Sequence, residues 1–187
     1  MQPLDGLLPF ATFCERHFLD VAESPAALMA AAFAYRPEDD PFFRAAIALR
    51  EAPMRLGGRL CGACADTRPA FGLDDFTRLE ERPGRMLVYG LVGRFWRRDY
   101  GLVEIADAEA FRRFDVPGTA KLAVGIWVEG SDDGRTRLVT ETRVFCPDSQ
   151  TRRRFAPYWY LIHPVSGLIR RRILSSIARS ASSHARD

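Results

Sequence analysis

The side chains best able to do chemistry gather in the last third of the chain. His163, in the run YLIHPVSG, carries an imidazole next to Pro164, and imidazole is the side chain that most readily takes and returns a proton near neutral pH. Tyr158 and Glu141 are the other candidates for an acid or a base, and with His163 they would suit the proton transfers of a cyclase or hydratase. No acidic partner for His163 follows from spacing, and a ring that merely donates to a carbonyl released by Pro164 explains its position more simply. Glu141 alternates with Arg143 along RLVTETRVF, which reads as part of an outer-face, cross-strand charge ladder. The catalytic assignment stays open on these grounds.

The same region offers a second chemistry, the holding of a small apolar or amphipathic molecule. In KLAVGIWVE, Leu122, Val124, Ile126 and Val128 share one strand face, while Lys121 and Glu129 mark the other as facing solvent. In RLVTETRVF the same alternation groups Leu138, Thr140, Thr142 and Val144 opposite Arg137, Glu141 and Arg143. Thr140 and Thr142 would give an apolar face some hydrogen-bonding capacity, although threonine is also simply a good strand former. Tyr89, Phe95, Trp96, Trp127, Tyr158, Trp159 and Tyr160 are large rings that serve a core and, through phenol or indole, can also serve a ligand. The residues expected at a ligand are Tyr89, Trp96, Leu122, Val124, Ile126, Thr140, Thr142, Tyr158 and Ile162.

Cysteine chemistry has weaker support. Cys61 and Cys64 form a single C-x-x-C, which needs a strand-to-helix setting for redox work or two further ligands for zinc. Cys14, His17, Cys146 and His163 could complete a metal site only by accident of folding, so neither metal nor cofactor is expected. Four cysteines in 187 residues are too few for a disulfide framework, and reduced thiols are expected.

Which elements would position these groups follows from local pattern. FCERHFLDV, residues 13–21, alternates well enough for a half-buried first strand. SPAALMAAAFAYRP predicts a short helix, with Ser24 as cap, Pro25 at the first helical position and Pro37 past the end. DPFFRAAIALREAPMRLGG predicts a second one capped by Asp40, and the glycine-rich run from Gly57 to Gly72 reads as a loop. From residue 73 the period becomes two. LDDFTRLEE, MLVYGLVGRFW, a segment around GLVEI, GTAKLAVGIWVEG and RTRLVTETRVF predict an antiparallel meander, with the Asp-Gly of SDDG at a hairpin turn. Asp148 or Ser149 then caps a long helix in which Phe155, Tyr158, Ile162, Val165, Ile169 and Ile173 recur at three- and four-residue steps, and Pro157 and Pro164 should bend it. The expected class is α+β, a single domain over 1–187, most economically completed by an antiparallel sheet curved around the last helix.

That element order, with the runs PGRMLVYGLVGRFW, GSDDGRTRLVTETRVF and RRRFAPYWYLIHPVSGLIRR, resembles the helix-grip superfamily. This group includes birch-pollen-allergen-like proteins, START-related lipid carriers and polyketide cyclases (SRPBCC), and the likeness is to an uncharacterised bacterial branch. The resemblance implies a deep, largely apolar cavity between a concave sheet and the last helix, which relatives use for lipids, hormones or polyketides. It carries over no catalytic residue, because no catalytic motif is shared across the superfamily. Two prolines and His163 in the last helix, and the length of the Gly57–Gly72 loop, depart from the simplest form of that pattern.

Composition narrows the partners. A net charge of +3 is too small to argue for nucleic acid, although Lys121 is the only lysine and arginine supplies the rest of the basic charge. Arg152 to Arg154 and Arg170 to Arg172 each turn through nearly a full helical turn, so most should be a solvated face. The scarcity of acids beyond residue 149 still allows a peripheral contact with an anionic membrane surface. No run reaches the ~20 apolar residues of a spanning helix, and MQPLDGLLPF lacks the features of a secretory signal, so a cytoplasmic location is expected. The leading expectation is a protein that binds a small hydrophobic or amphipathic molecule; an enzyme using the same cavity is the alternative. Oligomeric state is not readable from the chain.

Overall fold

The computed structural model describes residues 3–36, 40–42, 44–45, 75–97, 99–131 and 133–184. Its architecture is α+β: a five-stranded antiparallel sheet and a long C-terminal helix. The strands are β1 (Phe13–Val21), β2 (Thr77–Arg82), β3 (Met86–Gly93), β4 (Ala120–Gly130) and β5 (Thr136–Phe145). They lie in the order β1-β5-β4-β3-β2, so the first strand pairs with the last and forms one edge. At the β4–β5 hairpin Gly134 takes φ 74°, the left-handed conformation that the Asp-Gly pair anticipates.

Caps account for the helix starts. In α1 (Pro25–Ala34) the Ala27 amide donates to Ser24 Oγ at 3.3 Å and Pro25 occupies the first turn, where its missing N–H is not needed. Asp40 opens the next helical segment, accepting from the amides of Phe42 at its side chain (2.9 Å) and Arg44 at its carbonyl (3.1 Å). The rest of that expected second helix, and the Gly57–Gly72 run with Cys61 and Cys64, lie outside the described residues.

Residues around GLVEI, expected as a strand, contribute only a single bridge between Val103 and Val92. A short helix unanticipated from sequence follows, α2 (Ala108–Arg113), capped by Asp107 through the Ala110 amide at 2.8 Å. The last helix, α3 (Ser149–His184), is 36 residues, about 54 Å at 1.5 Å per residue. Asp148 caps it: its carboxylate accepts from the Thr151 amide (2.7 Å), the Thr151 hydroxyl (2.6 Å) and the Gly118 amide (3.1 Å). Those three donors pull the Asp148 carboxyl down to about 2. The helical assignment continues through Pro157 and Pro164 without a break.

Strand alternation separates two faces. The inner face, toward α1 and α3, carries Glu15, His17, Leu19 and Val21 of β1, opposite Thr142, Thr140, Leu138 and Thr136 of β5. Across β4 and β3 it continues through Leu122, Val124 and Ile126 to Leu91, Tyr89 and Leu87.

The other face does not meet solvent as the charges of Lys121, Glu141 and Arg143 suggested. Leu4, Leu7 and Leu8 of the N-terminal segment, with Ile105 and Phe111, pack on Val88, Val92, Ala123, Trp127 and Val139 and cover its β3–β5 part, while Cys14, Arg16 and Phe18 of β1 stay exposed. Lys121 is buried there, with Nζ donating to the carbonyls of Phe111 (3.3 Å) and Arg112 (3.1 Å) at the C-terminus of α2, the end that favours a cation. Burial lowers its pKa, with Asp115 opposing.

Candidate functional site

α3 lies over β1 and β5 and against α1. Its sheet-facing stripe is apolar at both ends. Phe155 and Trp159 join Leu91, Phe95, Ala120 and Val144 in one cluster, with Phe13 and Leu122 against it. Ile169, Ile173, Leu174 and Ile177 join Val21, Leu28, Met29 and Leu138 in another. Between the two clusters the stripe passes through His163, Gly167 and Arg170, spaced by four and three residues and so aligned on one side of the helix. These residues meet a polar stretch of the inner face on β1 and β5, formed by Glu15, His17, Thr140 and Thr142.

That polar layer is built around Glu15. Its side chain is buried (6% exposed), and Oε1 accepts from His17 Nε2 at 2.7 Å, with His163 Nε2 at 3.9 Å. Among the described residues Glu15 Oε2 has no hydrogen-bond partner, nor has the hydroxyl of Thr142, which is 4% exposed and directly opposite Glu15 in the β1–β5 register. One step along the strands, Thr140 Oγ1 accepts from Arg170 Nη1 at 3.3 Å. Gly167 allows this close approach. A Cβ there would stand 3.2 Å from Glu15 Oε1 and 3.5 Å from the His17 ring. His163 thus turns toward a carboxylate rather than serving only a carbonyl freed by Pro164.

A buried polar atom without a partner gives up its hydration and gains nothing in return, so two of them side by side mark a place suited to an incoming polar group. From there the register runs Glu15, Thr142, Val124, Tyr89 across four adjacent strands, about 14 Å at 4.8 Å per strand step. The neighbouring row is His17, Thr140, Ile126, Leu87. Tyr89, Leu122 and Ile126 on this face are only partly buried. A polar wall therefore adjoins an apolar, partly open floor.

Of the residues expected at a ligand, Tyr89, Leu122, Val124, Ile126, Thr140 and Thr142 share this inner face. Trp96 and Tyr158 lie together at one end, packed with Phe155, and Ile162 is half-buried on α3. Glu141 is the correction among the catalytic candidates. It points to the opposite face from His163 and Tyr158, 2% exposed, where Oε1 accepts from Arg143 Nε at 2.5 Å. Arg143 also reaches Asp5 (2.9 Å) and the Leu8 carbonyl (3.1 Å) and ties down the N-terminal segment, while Arg16, opposite Glu141 on β1, reaches Glu141 (3.8 Å) and Glu129 (2.9 Å) as rungs of the expected cross-strand ladder. Sequence reasoning missed Glu15 and named His17 only for an accidental metal site; in FCERHFLDV both alternate onto the strand side that carries Phe13, Leu19 and Val21.

The described cysteines do not join the layer. Cys14 is on the far face, its Sγ donating to Glu141 at 3.8 Å, and burial followed by Glu141 raises its pKa. Burial pushes the Cys146 thiol up to about 11, which keeps it protonated and poorly nucleophilic. Among the described residues no group of three or more His, Cys, Asp or Glu side chains is placed to hold a metal ion, and no helix is long and apolar enough to cross a membrane. An open cleft of about 420 Å³ lies elsewhere, at the β2–β3 turn between Pro3, Pro25, Arg85, Met86, Trp127 and Glu129, and none of the expected ligand residues lines it.

No protein-family model matches the chain, and no curated protein matches it. A solved structure of a hypothetical protein from Helicobacter pylori matches at 9% identity and a TM-score of 0.35, over 98% of this chain and 94% of that one.

Proposed function

We propose that the protein is a helix-grip binder of a small amphipathic molecule. The molecule's polar head meets Glu15 and Thr142 beneath α3, and its apolar body crosses Val124 and Ile126 toward Tyr89. The observation that carries this reading is the pair of unpartnered buried atoms, Glu15 Oε2 and Thr142 Oγ1, beside a partly open apolar floor. A carboxylate oxygen accepts and cannot donate, so the head must bring a donor: a hydroxyl, an amide or an amine. Apolar burial of about 200 Å² would contribute about 5 kcal/mol at 25 cal/mol per Å², before ordering costs are subtracted. Native mass spectrometry of the purified chain tests it. The expected result is a bound molecule with a donor head that is absent from Glu15→Leu; an equal load on both proteins would sink the reading.

A second reading, acid–base catalysis of the cyclase or hydratase kind, is favoured by one feature, the 2.7 Å contact that orients the His17 ring on Glu15 with His163 beside it. In this reading His17 replaces Glu141 as the group working with His163. Incubating the bound molecule with protein in heavy water should wash deuterium into it, and His17→Ala should stop that exchange. No incorporation with the unaltered chain would remove the catalytic reading and leave the binding one standing.

A further inference from the structure

The side of α3 turned away from the sheet has a pattern that packing does not require. At 100° per residue, Arg153, Pro157, Leu161, Pro164, Leu168 and Arg171 fall within about 80° of one another. Tyr160, next to them, is 69% exposed, Leu161 61% and Leu168 56%. This apolar strip is bounded by arginines at both ends, Arg154 and Arg171 being separated by about 25 Å of helix. The whole of α3, residues 149–184, carries seven arginines (152, 153, 154, 170, 171, 172 and 179) and no aspartate or glutamate. Arg172 is bonded to Asp40 at 2.7 Å and Arg170 to Thr140, whereas Arg152, Arg153, Arg154 and Arg171 pair with no acidic side chain among the described residues.

We propose that this outer stripe of α3 is a docking surface for an anionic lipid bilayer. Leu161 and Leu168 enter the headgroup boundary, Tyr160 lies at the interface, and the flanking arginines contact lipid phosphates. A helix lying in the membrane plane needs this combination of a narrow apolar strip and basic flanks, and tyrosine is enriched at the depth where apolar and wet regions meet. Charge complementarity selects the occupant. A second copy docked stripe to stripe would oppose unpaired arginines with the same arginines, which a two-fold contact cannot avoid. The proposal does not rest on the ligand reading, since it uses the opposite side of the helix.

Co-sedimentation of the full chain with vesicles tests it, using phosphatidylcholine alone and phosphatidylcholine mixed with phosphatidylglycerol. The expected result is binding to the mixed vesicles only, falling about tenfold or more as salt rises from roughly 0.05 to 0.5 M. Arg153→Glu/Arg154→Glu/Arg171→Glu should abolish that binding and Leu161→Ser/Leu168→Ser should weaken it about tenfold, with unfolding temperatures unchanged. Glu15→Gln should leave it intact. Absence of binding to the mixed vesicles, or binding that either set of substitutions leaves unchanged, overturns the proposal. So does a dimer in vesicle-free solution that the leucine substitutions dissociate, because the stripe would then belong to a second copy.

Discussion

Glu15 and Glu141 are both buried carboxylates on neighbouring strands, and their surroundings differ. Glu141 is satisfied by Arg143 at 2.5 Å, by Cys14 at 3.8 Å and by Arg16 at 3.8 Å. Removing its main partner leaves a buried charge exposed to the full desolvation penalty, so Arg143→Met should cost about 3 kcal/mol in urea unfolding. Adding Glu141→Leu should recover part of that loss; a double variant worse than the single would mean that Glu141 has other work. Glu15 has one oxygen held by His17 and the other unpartnered. Its replacement by leucine in the ligand-free protein should leave the melting temperature unchanged or raise it, as expected where stability is given up for a site. A loss above about 2 kcal/mol would instead identify Glu15 with His17 as a structural ion pair.

At the scale of elements, α3 is positioned by its first residue pair and by one glycine. The Asp148 carboxyl lies near 2 in the fold against an ordinary 3.8, so its contribution is complete above about pH 4 and is lost as pH falls through about 2. The melting-temperature gap between the natural chain and Asp148→Ala should therefore be widest above pH 4 and close on acidification, and a gap that ignores pH would contradict the cap. Gly167→Ala would normally gain about 1 kcal/mol from helix propensity. Here the added methyl meets Glu15 Oε1 at 3.2 Å, and that oxygen is fixed by His17, so no gain is expected; a full gain would show that α3 is free to lift. The elements themselves were largely legible. Ser24-Pro25, Asp148 and the Asp-Gly turn announce their positions through local chemistry, and the long apolar series of α3 through its period. α2 escaped because six residues make too few turns to show a period, although Asp107 followed by two helix-favouring alanines is a cap signal. The sheet's second face was misread because alternating charges say which residues share a side and not what covers it. The covering residues, Leu4, Leu7 and Leu8, stand in MQPLDGLLPF, which was weighed only as a targeting signal and not as a cover for the sheet. The site was half legible. The Leu122–Val124–Ile126 and Thr140–Thr142 faces follow from alternation, but Glu15 meeting His163 depends on a contact across 148 residues of sequence that no local pattern carries.

Over the whole molecule, the sheet is covered unequally. The N-terminal segment and α2 cover one face from β3 to β5 and leave Cys14, Arg16 and Phe18 of β1 exposed, whereas α1 and α3 pack on the other face, where Tyr89, Leu122 and Ile126 stay partly exposed. An apolar floor left partly open beside a polar wall is the arrangement that a ligand would complete, and closing it should raise cooperativity as well as melting temperature. The central claim is that Glu15 selects the ligand's head group. Tryptophan fluorescence should report it directly, since Trp159 packs 5.5 Å from the His163 ring and Trp96 stands against Phe155 at the end of the groove. The measurement is a titration of the full chain with decanol, decylamine and decanoate at one pH and salt concentration. Decanol and decylamine, which bring donors, should bind at least about tenfold more tightly than decanoate, and Glu15→Gln should erase the difference. Equal affinity for all three, or a preference that survives Glu15→Gln, would contradict it.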